Sequence, residues 1–401
     1  MKRIRFASLL LMLLEFMACG KDALYYPDGV KLEAEAPAQE NNPIPVLADF
    51  TMPALPLNER ASDLPGAVLC SRGWVFLDRN GIPRVYSPGA GTVNTLCSDS
   101  LCSHLADSAC AFRSCVFTEL PVQAGDRLWY IARDEWTEAD MTKNLIPARS
   151  VCSSDLFGAD VRQVYQNDGV ELFGLYAETD AIWWLEVVGD EQFLLTRMDP
   201  RSKKIERMPC GRDEHKVVRE YVRLGDRVYY ILDDGTIRSC KTDFSDDRLI
   251  AETSGTPLYA SERTQRVYWR ESGTLVSFDP ASGRKETAIV PQEGFRINLM
   301  LPTESGFAYT LVPEDAELGR SYREYIDAVT ADPALWLWDP VTGECGRLSL
   351  PEGIVPTPLA AYAGGILFTS GIHENEWTHT TAFSGWIACQ PKTGEVWEVS
   401  E

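Results

Sequence analysis

Apolar and polar residues alternate in short runs along most of this chain, and the runs recur. From about residue 66 onward, a turn bearing Gly or Asp leads into a short strand that ends in an aromatic residue. The instances are Gly73-Trp74-Val75-Phe76, Asp126-Arg127-Leu128-Trp129-Tyr130, Asp180-Ala181-Ile182-Trp183-Trp184 and Asp226-Arg227-Val228-Tyr229-Tyr230. They continue with Gln265-Arg266-Val267-Tyr268-Trp269, Gly306-Phe307-Ala308-Tyr309 and Gly365-Ile366-Leu367-Phe368. Each is followed by a second strand, a polar turn and a third strand. The turn is plainest at Asp199-Pro200-Arg201-Ser202, Asp279-Pro280-Ala281-Ser282-Gly283, Asp339-Pro340-Val341-Thr342-Gly343 and Gln390-Pro391-Lys392-Thr393-Gly394. Proline presets φ at the second turn position and glycine supplies a positive φ before the chain reverses. The strands between are β-branched and aromatic, and helical periodicity is scarce.

A period of about 40 to 60 residues with about four short strands per unit is the signature of a propeller. One unit cannot bury both its faces, so units stack radially. The expectation is an all-β chain folded as a β-propeller of seven blades, with six or eight as alternatives, over residues 49–401. A two-sheet sandwich is the competing architecture, but it does not explain the recurring turn.

The N-terminus breaks the pattern. Lys2, Arg3 and Arg5 precede an apolar run from Phe6 to Met17, which is short for a spanning helix and typical of an export signal. Phe16-Met17-Ala18-Cys19-Gly20 resembles the lipobox of bacterial lipoproteins, with Phe16 where leucine is usual and Glu15 inside the apolar run. The resemblance implies a signal peptide over 1–18 and acylation of Cys19. It places the chain on the outer face of the bacterial cytoplasmic membrane, held there by the lipid alone. An ordinary cleaved signal or an uncleaved anchor is the alternative. Residues 19–48, rich in Pro, Ala, Glu and Asn, read as a flexible tether.

Val267-Tyr268-Trp269 through Asp279 is similar to YWTD-like and TolB-like propeller repeats. Ala388-Cys389-Gln390-Pro391-Lys392-Thr393-Gly394-Glu395-Val396-Trp397 is similar to a quinoprotein repeat, with Gln390 where aspartate is usual, and implies no quinone. With the lipobox and Cys97-Ser98-Asp99-Ser100-Leu101-Cys102-Ser103-His104, the chain resembles TolB-like/YWTD-like β-propeller lipoproteins of anaerobic gut Firmicutes. That family lacks a defined activity, so the likeness implies location and fold only.

Composition changes little. The 401 residues are 45% hydrophobic and 24% charged, ordinary globular values. A net charge of −21 disfavours nucleic acid and anionic lipid surfaces as partners. Of 11 cysteines, Cys97, Cys102, Cys110 and Cys115 cluster around His104. Three readings stand. A disulfide such as Cys97 to Cys115 would clip a long loop in an exported chain. Cys97, Cys102, His104 and Cys110 would suit a structural zinc ion, although the spacing is not that of a zinc finger. The thiols would otherwise be reduced and partly buried.

If the aromatic strand is the second of each blade, the connections between second and third strands emerge at one end of the ring, as do those between blades. Three are long: Asp134 to Arg149 with Trp136, Pro313 to Pro333 with Tyr322 and Tyr325, and Gly371 to Ser384 with His373, Trp377 and His379. Tyr322, Tyr325, Ile326 and Val329 have helical spacing. The Cys97 to Cys115 segment joins this end as an inter-blade connection. The aromatics either cap the ring or form a groove for a glycan, peptide or envelope protein. No Gly-x-Ser-x-Gly elbow, phosphate-cradling loop or His-Glu-x-x-His pair occurs. The leading expectation is therefore a monomeric binding or interaction module rather than an enzyme. The alternative is a secreted propeller enzyme acting on glycan, a lyase or hydrolase.

Overall fold

The computed structural model describes residues 67–401 apart from 78–81, 88–91, 105–109, 114–120, 134–147, 168–170, 189–191, 210–216, 254–257, 303–305, 317–321, 333, 350–353, 364–365, 376–379, 391–394 and 400–401. No described helix is long and apolar enough to cross a membrane.

The chain is a β-propeller. Among the described residues seven four-stranded antiparallel sheets follow one another, each made of four strands consecutive in sequence. Sheet 1 spans Ala67–Thr95, sheet 2 Val122–Asn167, sheet 3 Leu172–Arg207 and sheet 4 Val218–Glu252. Sheets 5, 6 and 7 span Leu258–Ile289, Phe295–Ser349 and Ile354–Val399. The first strand of sheet 1 packs beside those of sheets 2 and 7, and others meet likewise, so first strands are innermost. Every aromatic strand of the repeat is the second strand of its sheet, and each Asp-Pro turn follows a third strand.

The doubled aromatics have a geometric cause. Successive side chains of a strand point to opposite faces. Trp183 therefore joins the core between sheets 3 and 4, while Trp184 joins the core between sheets 2 and 3. Tyr229 and Tyr230 divide in the same way between sheets 4–5 and 3–4. Tyr268 and Trp269 divide between sheets 5–6 and 4–5. One strand thus supplies a ring to each of two interfaces, and each fully buried ring contributes about 2–3 kcal/mol.

A second repeated device joins residues far apart in sequence. Arg127 opens the second strand of sheet 2, donates to Ser153 Oγ at 3.1 Å and pairs with Asp160 at 2.8 Å. Arg227 donates to Ser239 Oγ at 3.1 Å and pairs with Asp246 at 2.9 Å. Arg266 holds Ser277 at 2.9 Å and pairs with Glu286. In sheet 3 the arginine position is Ala181, and opposite Trp183, where those three sheets carry a serine, stands Arg197.

Among the described residues no sheet combines strands from both ends of the chain, and sheets 7 and 1 meet along their innermost strands. Trp397 Nε1 donates to Tyr86 OH at 3.1 Å across that seam. The helix expected near Tyr322 is present, Tyr322–Thr330, and packs against the second strand of sheet 6 and the innermost strand of sheet 7. The expected loop Gly371 to Ser384 is instead mostly sheet. Strands Ile366–Asn375 and Thr380–Gln390 run through it, pairing His373 with Ala382. Its Thr-Thr-Ala-Phe segment has the β-branched character that extends a hairpin.

Gly73 shows how tightly these sheets are made. Its φ is +132°, and a Cβ there would lie 2.2 Å from the Tyr86 carbonyl oxygen of the neighbouring strand. Gly225, at φ +60°, faces open space. We expect Gly73→Ala to cost on the order of 3 kcal/mol or more and Gly225→Ala only about 1 kcal/mol. Urea unfolding of the two variants measures the contrast; equal costs would contradict this packing.

Candidate metal centre

The connection from sheet 1 to sheet 2 begins at Leu96, just after the outermost strand Thr92–Thr95. Leu96 is fully buried and its amide donates to the Pro83 carbonyl at 3.0 Å. Its carbonyl accepts from the Arg72 guanidinium, which also reaches the Leu156 carbonyl of sheet 2 at 3.2 Å. Asp99 then folds the chain back on itself. Its carboxylate accepts from the Leu101 amide at 2.9 Å and its carbonyl from the Cys102 amide at 3.2 Å. His104 sits in the left-handed region at φ 56°. After residues 105–109, a turn closed by the Arg113 amide on the Cys110 carbonyl presents Cys110.

These turns bring four ligands together. The Sγ atoms of Cys97, Cys102 and Cys110 and a ring nitrogen of His104 all lie within 4.8 Å of one another. His104 Nδ1 is 3.7 Å from Cys110 Sγ. Tetrahedral bonds of about 2.3 Å to sulfur require ligand separations of about 3.8 Å, so small rotations would close the shell. No other group of three or more such side chains gathers among the described residues. None of the seven described cysteines forms a disulfide.

Two sulfurs carry matching backbone support. The Asp99 amide donates to Cys97 Sγ at 3.4 Å, and the Phe112 amide donates to Cys110 Sγ at 3.3 Å. Such donors stabilise a thiolate and orient it toward an ion. Burial pushes the Cys110 thiol up to about 12; the Phe112 amide opposes this, while Cys102 and Cys97 add to it. Neighbouring thiolates repel one another, and a divalent ion among these sulfurs would supply the opposing charge.

The sequence grouped this segment with the long loops at one end of the ring. Its contacts run elsewhere. Cys97 and Cys110 pack against a core shared by sheets 1 and 2, made of Cys70, Val75, Val85, Leu96, Phe112, Leu128, Tyr130 and Cys152. Phe112 meets Tyr130 edge-on, with ring centroids 6.2 Å apart. It also fills the space beside Gly158, where a Cβ would lie 2.4 Å from the ring. Gly158 lies in a hairpin between third and fourth strands and Arg72 in a turn between first and second strands, both opposite the long connections. The segment is a wedge between two sheets. Phe112, Gly158, Asp99 and Arg72, which position it, were not singled out from sequence; the one cue was an aromatic two residues after Cys110.

Other expected site residues are placed less fully. Tyr322 and Tyr325 lie on the helix and His373 on the long hairpin of sheet 7, described by backbone position alone. Cys19, Cys115, Trp136, Trp377 and His379 lie outside the described residues.

No family model matches the sequence, and no curated protein matches it. Solved structures do. A puromycin-hydrolyzing peptidase from Mycobacterium tuberculosis is 10% identical with a TM-score of 0.53, over 87% of this chain and 56% of that one. A puromycin hydrolase variant complexed with PGG is 13% identical with a TM-score of 0.51, over 87% of this chain and 55% of that one. This chain therefore spans little more than half of either. The β-propeller domain of the Trilobed protease from Pyrococcus furiosus is 11% identical, covering 70% of this chain and 83% of that one, at a TM-score of 0.45. At these identities the first two likenesses show the fold alone.

Metal uptake by these residues should release protons, because thiols protonated at neutral pH must give way to the ion. Apparent affinity should fall by about tenfold per pH unit for each proton displaced. Calorimetry in buffers of different ionisation enthalpy counts the protons; a pH-independent affinity would exclude thiolate ligation.

Proposed function

We propose that this chain is an exported, lipid-anchored β-propeller that works as a binding or protein-interaction module, with a structural zinc ion held by Cys97, Cys102, His104 and Cys110. The observation that carries this reading is the ligand set. Three thiolates and an imidazole complete a tetrahedral shell, leaving no position for a water molecule or substrate. The set also sits inside a junction between sheets, where an ion braces the scaffold.

Binding is assigned to the opposite end of the ring. There the segment around Trp136, the helix with Tyr322 and Tyr325, and the hairpin with His373, Trp377 and His379 all connect second to third strands. Connections on one end of a rigid scaffold are where recognition usually resides. Flat aromatic side chains there suit stacking on an extended glycan or peptide. Cys19 supplies the lipid attachment.

Purified chain should carry one zinc ion, and chelation should lower its melting temperature by on the order of 5–10 °C. Elemental analysis and calorimetry test both; a metal-free chain with unchanged melting would overturn the zinc assignment. For the binding assignment, glycan and peptide screening should identify a ligand whose affinity drops by about tenfold in Trp136→Ala or Trp377→Ala. Unchanged affinity in both variants would move the site elsewhere. Cys19→Ala should shift the protein out of the membrane fraction, and continued membrane association would refute lipidation.

A further inference from the structure

The three sulfurs of the cluster are not equivalent. Cys97 and Cys110 each accept a hydrogen bond from the amide two residues on and pack against the core between sheets 1 and 2. Cys102 does neither. Among the described residues no amide donates to its sulfur, and it lies outside that core. Its neighbour Leu101 is 93% exposed, and Ser103 is exposed as well. All three cysteines are partly buried, but Cys102 is the one that neither packs against that core nor accepts from a described amide, and it is flanked by two exposed residues.

An N–H donor to a zinc-bound thiolate withdraws electron density from sulfur and lowers its nucleophilicity. A thiolate without one keeps it, and oxidation follows thiolate character and access. We propose that Cys102 is a modification site, the sulfur of the zinc centre that reacts first with hydroperoxides and soft electrophiles. This rests on the zinc reading above and assigns that site a reactivity which the reading does not contain.

The chemistry balances with a hydroperoxide as oxidant. The Cys102 thiolate attacks the peroxide, forming an S–O bond as the O–O bond breaks, and gives a sulfenic acid and hydroxide. The sulfenic acid has lost most of its affinity for zinc. Cys97 or Cys110 thiolate then attacks the Cys102 sulfur, forming a disulfide and releasing a second hydroxide. All the sulfurs lie within 4.8 Å, so side-chain rotation suffices to reach the bonding distance of about 2.05 Å. Two electrons pass from the thiolates to the peroxide. Zinc, left with one thiolate and one imidazole, departs. The segment that wedges sheets 1 and 2 loses its central ligand.

The test uses the full chain as purified, with zinc content measured first. Substoichiometric iodoacetamide, followed by peptide mapping, should place the first adduct on Cys102 with about fivefold preference over Cys97 or Cys110, the ratio that one hydrogen bond's worth of thiolate stabilisation allows. Hydrogen peroxide should then release zinc, read with a chromogenic chelator, and every disulfide within the cluster should include Cys102. A dithiol with added zinc should restore the site. Cys102→Ser should slow peroxide-driven release; if that variant binds no zinc, the alkylation map of the wild-type chain decides. Preferred labelling of Cys97 or Cys110, equal labelling, or a Cys97–Cys110 disulfide with Cys102 free would overturn the proposal while leaving the zinc site standing. Absence of zinc at the outset would instead sink the zinc reading, and this inference with it.

Discussion

A four-stranded antiparallel sheet has two apolar faces and no core of its own, and covering both faces is the constraint on which this molecule depends. The solution here is carried by one strand per sheet. Adjacent bulky residues point to opposite sides, so Trp183 and Trp184 each fill a different junction, as do Tyr229 with Tyr230 and Tyr268 with Trp269. Every sheet is therefore held by its neighbours, and the stability of any one depends on the junctions at both its sides. The Arg127, Arg227 and Arg266 clusters add polar closure within a sheet. They do not substitute for the rings between sheets.

Sheet 1 is where this solution is weakest. Its strands have four or five residues, against six or seven in most of its neighbours. Where the second strands of sheets 2 to 5 place Trp129, Trp183, Tyr229 and Tyr268 toward the following sheet, sheet 1 places Val75. The missing volume is filled from outside the repeat. Phe112, on the connection to sheet 2, inserts beside Tyr130 and against Gly158, and Cys97, Cys102 and Cys110 gather with His104 on the same connection. A connection with no regular structure cannot hold a phenyl ring in place by itself, since ordering each residue costs about 1–2 kcal/mol. A four-ligand ion centre, as proposed for these residues, would contribute free energy of the required size and fix four points of the segment at once.

Much of this was legible in the sequence, for reasons that differ by element. The propeller could be read because period-two alternation and Asp-Pro turns are local and recur. The helix at Tyr322–Thr330 could be read because Tyr322, Tyr325, Ile326 and Val329 keep helical spacing. The four ligands could be read as a set, although spacing alone left disulfide, metal and free thiol open. What escaped were relations between distant residues. Arg127, Ser153 and Asp160 meet because of hairpin lengths, which no contiguous motif records. The wedge escaped because its direction depends on Phe112 finding space beside Gly158, over forty residues away. The hairpin around His373 was read as a loop because its glycines and polar residues mask the alternation that pairing with Ala382 later makes visible.

The position of the cysteine cluster follows from the way the ring is closed. A ring can be locked by a sheet that shares strands from both chain ends, and among the described residues there is no such sheet. Among the described residues sheet 1 is thus joined to sheet 2 by one connecting segment and meets sheet 7 through non-covalent contacts. At the seam with sheet 7 the described side-chain hydrogen bond is Trp397 to Tyr86. At the border with sheet 2, Val75 leaves an interface short of aromatic volume. A brace at either border would hold sheet 1 in the ring, and among the described residues it is the border with sheet 2 that is crossed by a connecting segment able to supply ligands. The cluster stands at that border, on chain linking the two sheets that a bound ion would brace, and its contacts lie opposite the long aromatic connections. An ion placed there acts on ligand binding through the integrity of the ring rather than by touching the ligand.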